Sequence, residues 1–167
     1  MINNLTELYY DQLRDIYDAE TQLINALPRM AAKASNADLK KAFEDHLQET
    51  REQCARLEEI CQRHGIFPTG ETCDAMKGLI READKHSNET IGGDVQDALL
   101  IAAANRVEHY EIAAYGVARA FADILDFKED VKQLDESLDE ESDADKKITK
   151  LAVGGLFRTG VNEAATV

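Results

Sequence analysis

Glu108 and Glu111 stand three residues apart in ANRVEHYEIAAYGVA (residues 104–118), a stretch otherwise dominated by Ala, Val, Ile and Tyr. On a helix this spacing puts both carboxylates on one face, and here that face is the apolar one. Carboxylates are normally kept out of such a face, because burying one without compensation costs on the order of several kcal/mol. Four more acidic residues share the anomaly. Glu20 lies on the apolar seam between Ile16 and Leu23, and Glu49 lies three residues after His46 and four before Gln53. Glu141 and Asp145 interrupt the seam Leu134, Leu138, Ile148 at a spacing of four. Protonation would relieve part of the repulsion among Glu20, Glu49, Glu108, Glu111, Glu141 and Asp145. Two divalent cations would relieve it better, and oxygen donors suit hard ions such as iron, manganese or magnesium. Glu140 competes with Glu141 for the fourth helix's position, and helical phase favours Glu141. His46 is open to three roles: a ligand, a hydrogen-bond partner of one, or a packed core residue. His109 points about 100° away from Glu108 and falls outside the set.

These residues need long helices to carry them. Leu5, Tyr9, Leu13, Ile16, Leu23, Leu27 and Met30 recur at steps of three and four, which predicts a first helix over about 5–34. Asn3, Asn4 or Thr6 can cap it, and Pro28 should bend it. Ser35 or Asn36 caps a second helix over about 37–64, stopped at Gly65. A short helix follows over about 73–86, and two more long ones over about 94–125 and 128–153, with Gly154 and Gly155 ending the last. The remainder, 154–167, reads as a loose tail. The tight joints near 35 and 127 make antiparallel hairpins, and the long middle connection lets one hairpin pack on the other. The expectation is a single all-α domain over 1–153, a ferritin-like four-helix bundle whose crossover carries an extra short helix.

Depth along this frame can be read from residue offsets. Glu20 and Glu49 lie about 15 and 14 residues from the first turn, and Glu111 and Glu141 about 16 and 14 from the second. At about 1.5 Å per residue all four fall roughly 21–24 Å from their turn, which is mid-height.

Composition fits this reading. The formal net charge of −14 argues against a nucleic-acid phosphate surface and against an anionic membrane surface. No apolar run approaches the roughly 20 residues a membrane span needs; the longest is ALLIAAA at 98–104. Three cysteines, Cys54, Cys61 and Cys73, form no Cys-x-x-Cys pair, and Met1–Asn4 shows no secretory signal. A cytoplasmic location is expected. There is no nucleotide-binding glycine loop, no serine–histidine nucleophile arrangement and no zinc-type cysteine cluster.

Four stretches, DIYDAETQL (15–23), AFEDHLQET (42–50), DALLIAAANRVEHYEIAAYG (97–116) and LDESLDEESDADKKIT (134–149), together resemble a bacterial ferritin-like stress-protein family typified by YciF. The resemblance covers nearly the whole chain. It implies a four-helix bundle with an added short helix, a two-metal centre inside it, and homodimers. The wider ferritin-like pattern takes one Glu from each of two helices and Glu-x-x-His from each of the others. Carried over, Glu20, Glu49, Glu108, Glu111 and Glu141 match its carboxylates. Both histidine positions differ: Glu52 follows Glu49 by three, with Gln53 or His46 able to fill the place, and Asp145 stands where the other histidine would be. An all-oxygen or nearly all-oxygen site follows.

Three functions fit these features. The first is a di-metal redox enzyme acting on peroxide, dioxygen or ferrous iron. The second is a stress protein stabilised by metal without turnover. The third is an acidic helical dimerisation module whose carboxylates pair with Arg106 and Lys147. Bulk iron storage is weaker, since it needs a closed shell of subunits.

Overall fold

The computed structural model describes residues 2–155 and 158–166, and the backbone alone at Arg158. Helix α1 covers Leu5–Lys33 and is capped by Asn4, whose side chain accepts from the backbone N–H of Glu7 at 2.9 Å. It continues through Pro28 to Lys33. Asn36 caps α2 (Ala37–Arg63), accepting from the N–H groups of Asp38 and Leu39. At the far end of α2, Gly65 has φ +67, and the N–H groups of Gly65 and Ile66 return to the carbonyls of Gln62 and Cys61. This left-handed turn satisfies the last carbonyls and favours glycine, which carries no Cβ strain there.

Helices α3 (Asp74–Ser87), α4 (Gly93–Ile124) and α5 (Lys128–Val153) complete the main elements. The turn from α4 to α5 repeats the device with Asp126 at φ +58, Asp126 and Phe127 donating to the carbonyls of Asp123 and Ala122. Helix α1 packs on α2 and α4, α5 packs on α4 and α2, and α3 lies across α4 and α1. Among the described residues the regular structure is therefore helical apart from one pair of two-residue strands after α5.

That pair corrects the expectation of a loose tail. Strand β1 (Gly154–Gly155) pairs antiparallel with β2 (Arg158–Thr159), and α6 (Val161–Ala164) follows. Helix α6 packs on α4 and α5, and Val161 is buried. A Cβ at Gly160 would sit 2.4 Å from the carbonyl oxygen of Ala152, so the chain returns tightly against the end of α5. Leu156, Phe157 and Val167, which the tail expectation also covered, lie outside the described residues.

The core is split into two apolar halves. One contains Leu23, Leu27, Leu39, Phe43, Leu100, Ile101 and Ile148; the other contains Tyr9, Leu13, Ile16, Leu57, Ile60, Tyr115 and Leu134. On each long helix the polar residues that interrupt the seam fall between or at the border of these halves. A buried aspartate closes each end. Asp97 accepts from the backbone N–H groups of Ser35 and Asn36 at 2.8 and 2.7 Å, holding the α1–α2 turn against α4. Asp130 accepts from Tyr9 at 2.9 Å, pairs with His64 at 2.5 Å, and is bound by Arg63.

Candidate metal centre

Between the apolar halves, His46 from α2, Glu108 and Glu111 from α4, and Glu141 from α5 bring one ligand atom each to within 4.8 Å of one another, all four buried. Glu20 from α1 is also fully buried, and Tyr115 donates to its Oε1 at 2.5 Å. The imidazole Nε2 of His46 lies 3.5 Å from Glu108 Oε1 and 3.8 Å from Glu141 Oε2. Its other nitrogen, Nδ1, lies 3.3 Å from Glu49 Oε2. Gln53 donates its amide to Glu141 Oε1 at 2.5 Å and to Glu140 Oε2 at 3.1 Å. Glu140 is in turn gripped at both oxygens by Arg56, each at 2.6 Å.

The electrostatics of this layer are unfavourable for bare carboxylates. Burial pushes Glu111 well above the usual carboxylate range, and the charges of Glu141, Glu20 and Glu108 push it further. Glu20 is raised by burial and then by Glu141, with the Tyr115 hydrogen bond opposing. Glu108 and Glu141 are raised by burial against the opposing pull of His46. Burial pulls the His46 imidazolium down, but Glu108, the hydrogen bond to Glu49, Glu141 and Glu20 together outweigh it and hold it up at about 10.

Polar atoms without partners mark where a ligand would fit. Among the described residues, both oxygens of Glu111, Oε2 of Glu20, Glu108 and Glu141, Nε2 of His46 and Oε1 of Gln53 are buried and accept or donate no hydrogen bond. Buried polar groups are almost always satisfied, so a concentration of orphans within one layer is unusual. All but one are oxygens with free lone pairs, and the remaining one is an imidazole nitrogen. That is a donor set for a hard or borderline divalent cation.

Three candidates stand elsewhere. The Asp145 side chain accepts from Asn105 at 2.8 Å and lies 3.5 Å from the exposed His109, so it serves the outer α4–α5 seam rather than the buried layer. The spacing of four from Glu141 turns a side chain by about 40° and lifts it about 6 Å, enough to pass it to the next seam. Glu52 is exposed and accepts from Gln48. Glu49 is 43% exposed, with His46 between it and the cluster. Neither cation suggested as a carboxylate partner reaches the layer: Arg106 lies against Glu82 and Lys147 against Asp45. Tyr17 donates to Glu58 at the surface. The nearly all-oxygen expectation is thus modified by a histidine nitrogen whose role the sequence left open. The clamps at Asp97 and Asp130 were missed. An acidic residue beside a helix terminus was the available signal, and it occurs on many solvated helices.

The fold and this layer define a class: an all-helical protein with a buried carboxylate–histidine cluster shared by its four long helices. The family described as Domain of unknown function (DUF892) matches residues 4–165. Protein YciF of Escherichia coli (strain K12) is 38% identical over 164 residues, 98% of this chain and 99% of that protein. The chain therefore belongs to the DUF892 family and is a relative of YciF. The crystal structure of the E. coli stress protein YciF superposes with a TM-score of 0.88 at 36% identity, covering 99% of this chain and 100% of that one. The structure of YcfI from Rhodopseudomonas palustris gives 0.88 at 41% identity, over 90% and 96% of the two chains. A Xanthomonas campestris protein, 17% identical with a TM-score of 0.71, shares the fold. Among the described residues no helix is long and apolar enough to cross a membrane.

Proposed function

We propose that this chain is a ferritin-like four-helix bundle of the bacterial stress response that holds two divalent metal ions, iron or manganese, on Glu20, His46, Glu108, Glu111 and Glu141. The observation that carries this reading is Glu111: buried, both oxygens unpartnered, with an oxygen within 4.8 Å of donor atoms on three other buried residues. Four ionised glutamates and a neutral, ligating His46 would give the layer a charge of about −4, which two divalent cations offset. Bound iron or manganese supplies redox capacity for peroxide, dioxygen or ferrous iron.

The residues themselves do three things. The apolar halves above and below keep bulk water from the layer. Gln53, anchored through Glu140 to Arg56, fixes the carboxylate plane of Glu141. Tyr115 holds Glu20 by one oxygen and leaves the other free.

Elemental analysis with anomalous scattering from crystals grown with iron or manganese tests the site. Density bounded by Glu111 and Glu141 supports it, and protein that takes up no ion on titration overturns it. Consumption of hydrogen peroxide by reconstituted protein tests turnover. Wild type should exceed free metal and Glu111→Ala should not. Equal rates, with a melting temperature that drops sharply on chelation, would instead identify a metal-stabilised protein without catalysis.

A further inference from the structure

A cavity of roughly 150 Å³ opens from the surface between α2 and α5, and its lining includes His46, a residue of the buried cluster. Glu49, Glu140, Asp143 and Lys147 also line it. Arg56 holds Glu140 at 2.6 Å and Lys146 lies 2.9 Å from Asp143, which leaves Glu49, paired with His46, as the carboxylate placed to meet an arriving cation. Asp143 is exposed and Glu49 partly so, whereas His46 is 3% exposed. The passage exists because small residues face each other there: Ala42 on α2 and Ala144 on α5, both buried. The imidazole of His46 stands across its inner end. One ring nitrogen faces outward to Glu49 at 3.3 Å, and the other faces inward to Glu108 and Glu141 at 3.5 and 3.8 Å.

We propose that this cavity is the access route by which divalent cations reach the buried layer, with Glu49 as the capture group and the His46 ring as the gate between outside and inside. This inference rests on the metal-binding reading above. A cation arriving from solvent meets carboxylates before it meets His46. A carboxylate at the mouth of a cleft attracts cations and raises their arrival rate. Lys147, which also lines the passage, is engaged by Asp45 at 3.1 Å. The orphan Nε2 on the inner side gives the ion a donor as it passes from Glu49 to Glu108 and Glu141. Glu49 is therefore a group of the path rather than of the final donor set, which accounts for its exposure.

The test separates rate from capacity. Metal-free protein is mixed with Mn2+, and loss of the free-ion electron paramagnetic resonance signal is followed in time and to equilibrium. Glu49→Gln should slow uptake by about tenfold, the scale on which focusing acts, while the number of ions held at equilibrium stays at the wild-type value. Ala144→Leu, which fills the passage with apolar volume, should do the same, with circular dichroism confirming the fold. Glu82→Gln, on the exposed face of α3, should leave the rate unchanged. Uptake as fast in Glu49→Gln as in wild type would overturn the route and leave the metal site standing. A lower equilibrium number in Glu49→Gln would overturn it too, by making Glu49 a ligand, as would equal slowing by Glu82→Gln. Wild-type protein that binds no Mn2+ would overturn the metal reading and the route together.

Discussion

At the scale of single residues, the central fact is that Tyr115 is the one recorded hydrogen-bond donor to Glu20 among the described residues, and Glu111 has none. Hydrogen bonds to charged acceptors contribute about 1.5–3 kcal/mol, so Tyr115→Phe should destabilise the metal-free protein by about that much, measured by urea denaturation. It also leaves Glu20 with two free oxygens. An effect within error would show that Glu20 is protonated and indifferent to the phenol. Asp130 makes a contrasting case, because it is buried and fully partnered. Removing one member of such a group strands the others.

At the scale of elements, turn chemistry decides how the hairpins close. The α2 end uses Gly65 in the left-handed region, and the α4 end uses Asp126 there. An L-residue in that conformation carries strain that glycine does not, although aspartate tolerates it better than most. Asp126→Gly should therefore raise stability by about 0.5–1 kcal/mol. The exposed pair with Lys128 that it gives up is worth little. A thermal melt at fixed pH checks the direction, and a lower melting temperature would mean that the unfolded-state entropy of glycine outweighs the relieved strain.

For the molecule as a whole, the buried layer sets the pH dependence. Glu20, Glu108, Glu111 and Glu141 are raised above 4.5 in the folded state by burial and mutual repulsion. A raised group contributes stability that is present below its unfolded value and lost as pH rises through its folded value. His46, raised from 6.5 to about 10, adds a loss in the same direction between those values. Metal-free protein should thus melt at progressively lower temperature from about pH 5 upward. Metal-loaded protein should show the opposite slope on the acid side, because protons compete with the ions for the same oxygens. Scanning calorimetry of both forms from pH 5 to 8 checks the crossing. Parallel slopes would mean that metal does not bind at these glutamates.

What was legible in the sequence was whatever has a local period. Apolar steps of three and four marked the five main helices, whose structural bounds are Leu5–Lys33, Ala37–Arg63, Asp74–Ser87, Gly93–Ile124 and Lys128–Val153. A carboxylate on such a seam, as at Glu20, Glu108, Glu111 and Glu141, violates the period and so announces itself. Tertiary structure decided which neighbour each borderline side chain meets. Glu49 and Asp145 are each within one turn of a cluster residue, yet one looks into the α2–α5 cavity and the other toward Asn105. A rotation of some tens of degrees about a helix axis moves a side chain from one seam to the next, and that angle is set by how helices pack, not by the spacing along any one of them. The segment after Val153 has the same explanation. Its fold rests on α6, with Val161 buried, packing on α4 and α5 and on Gly160 fitting under the carbonyl of Ala152, tertiary contacts that leave no periodic mark on a dozen residues.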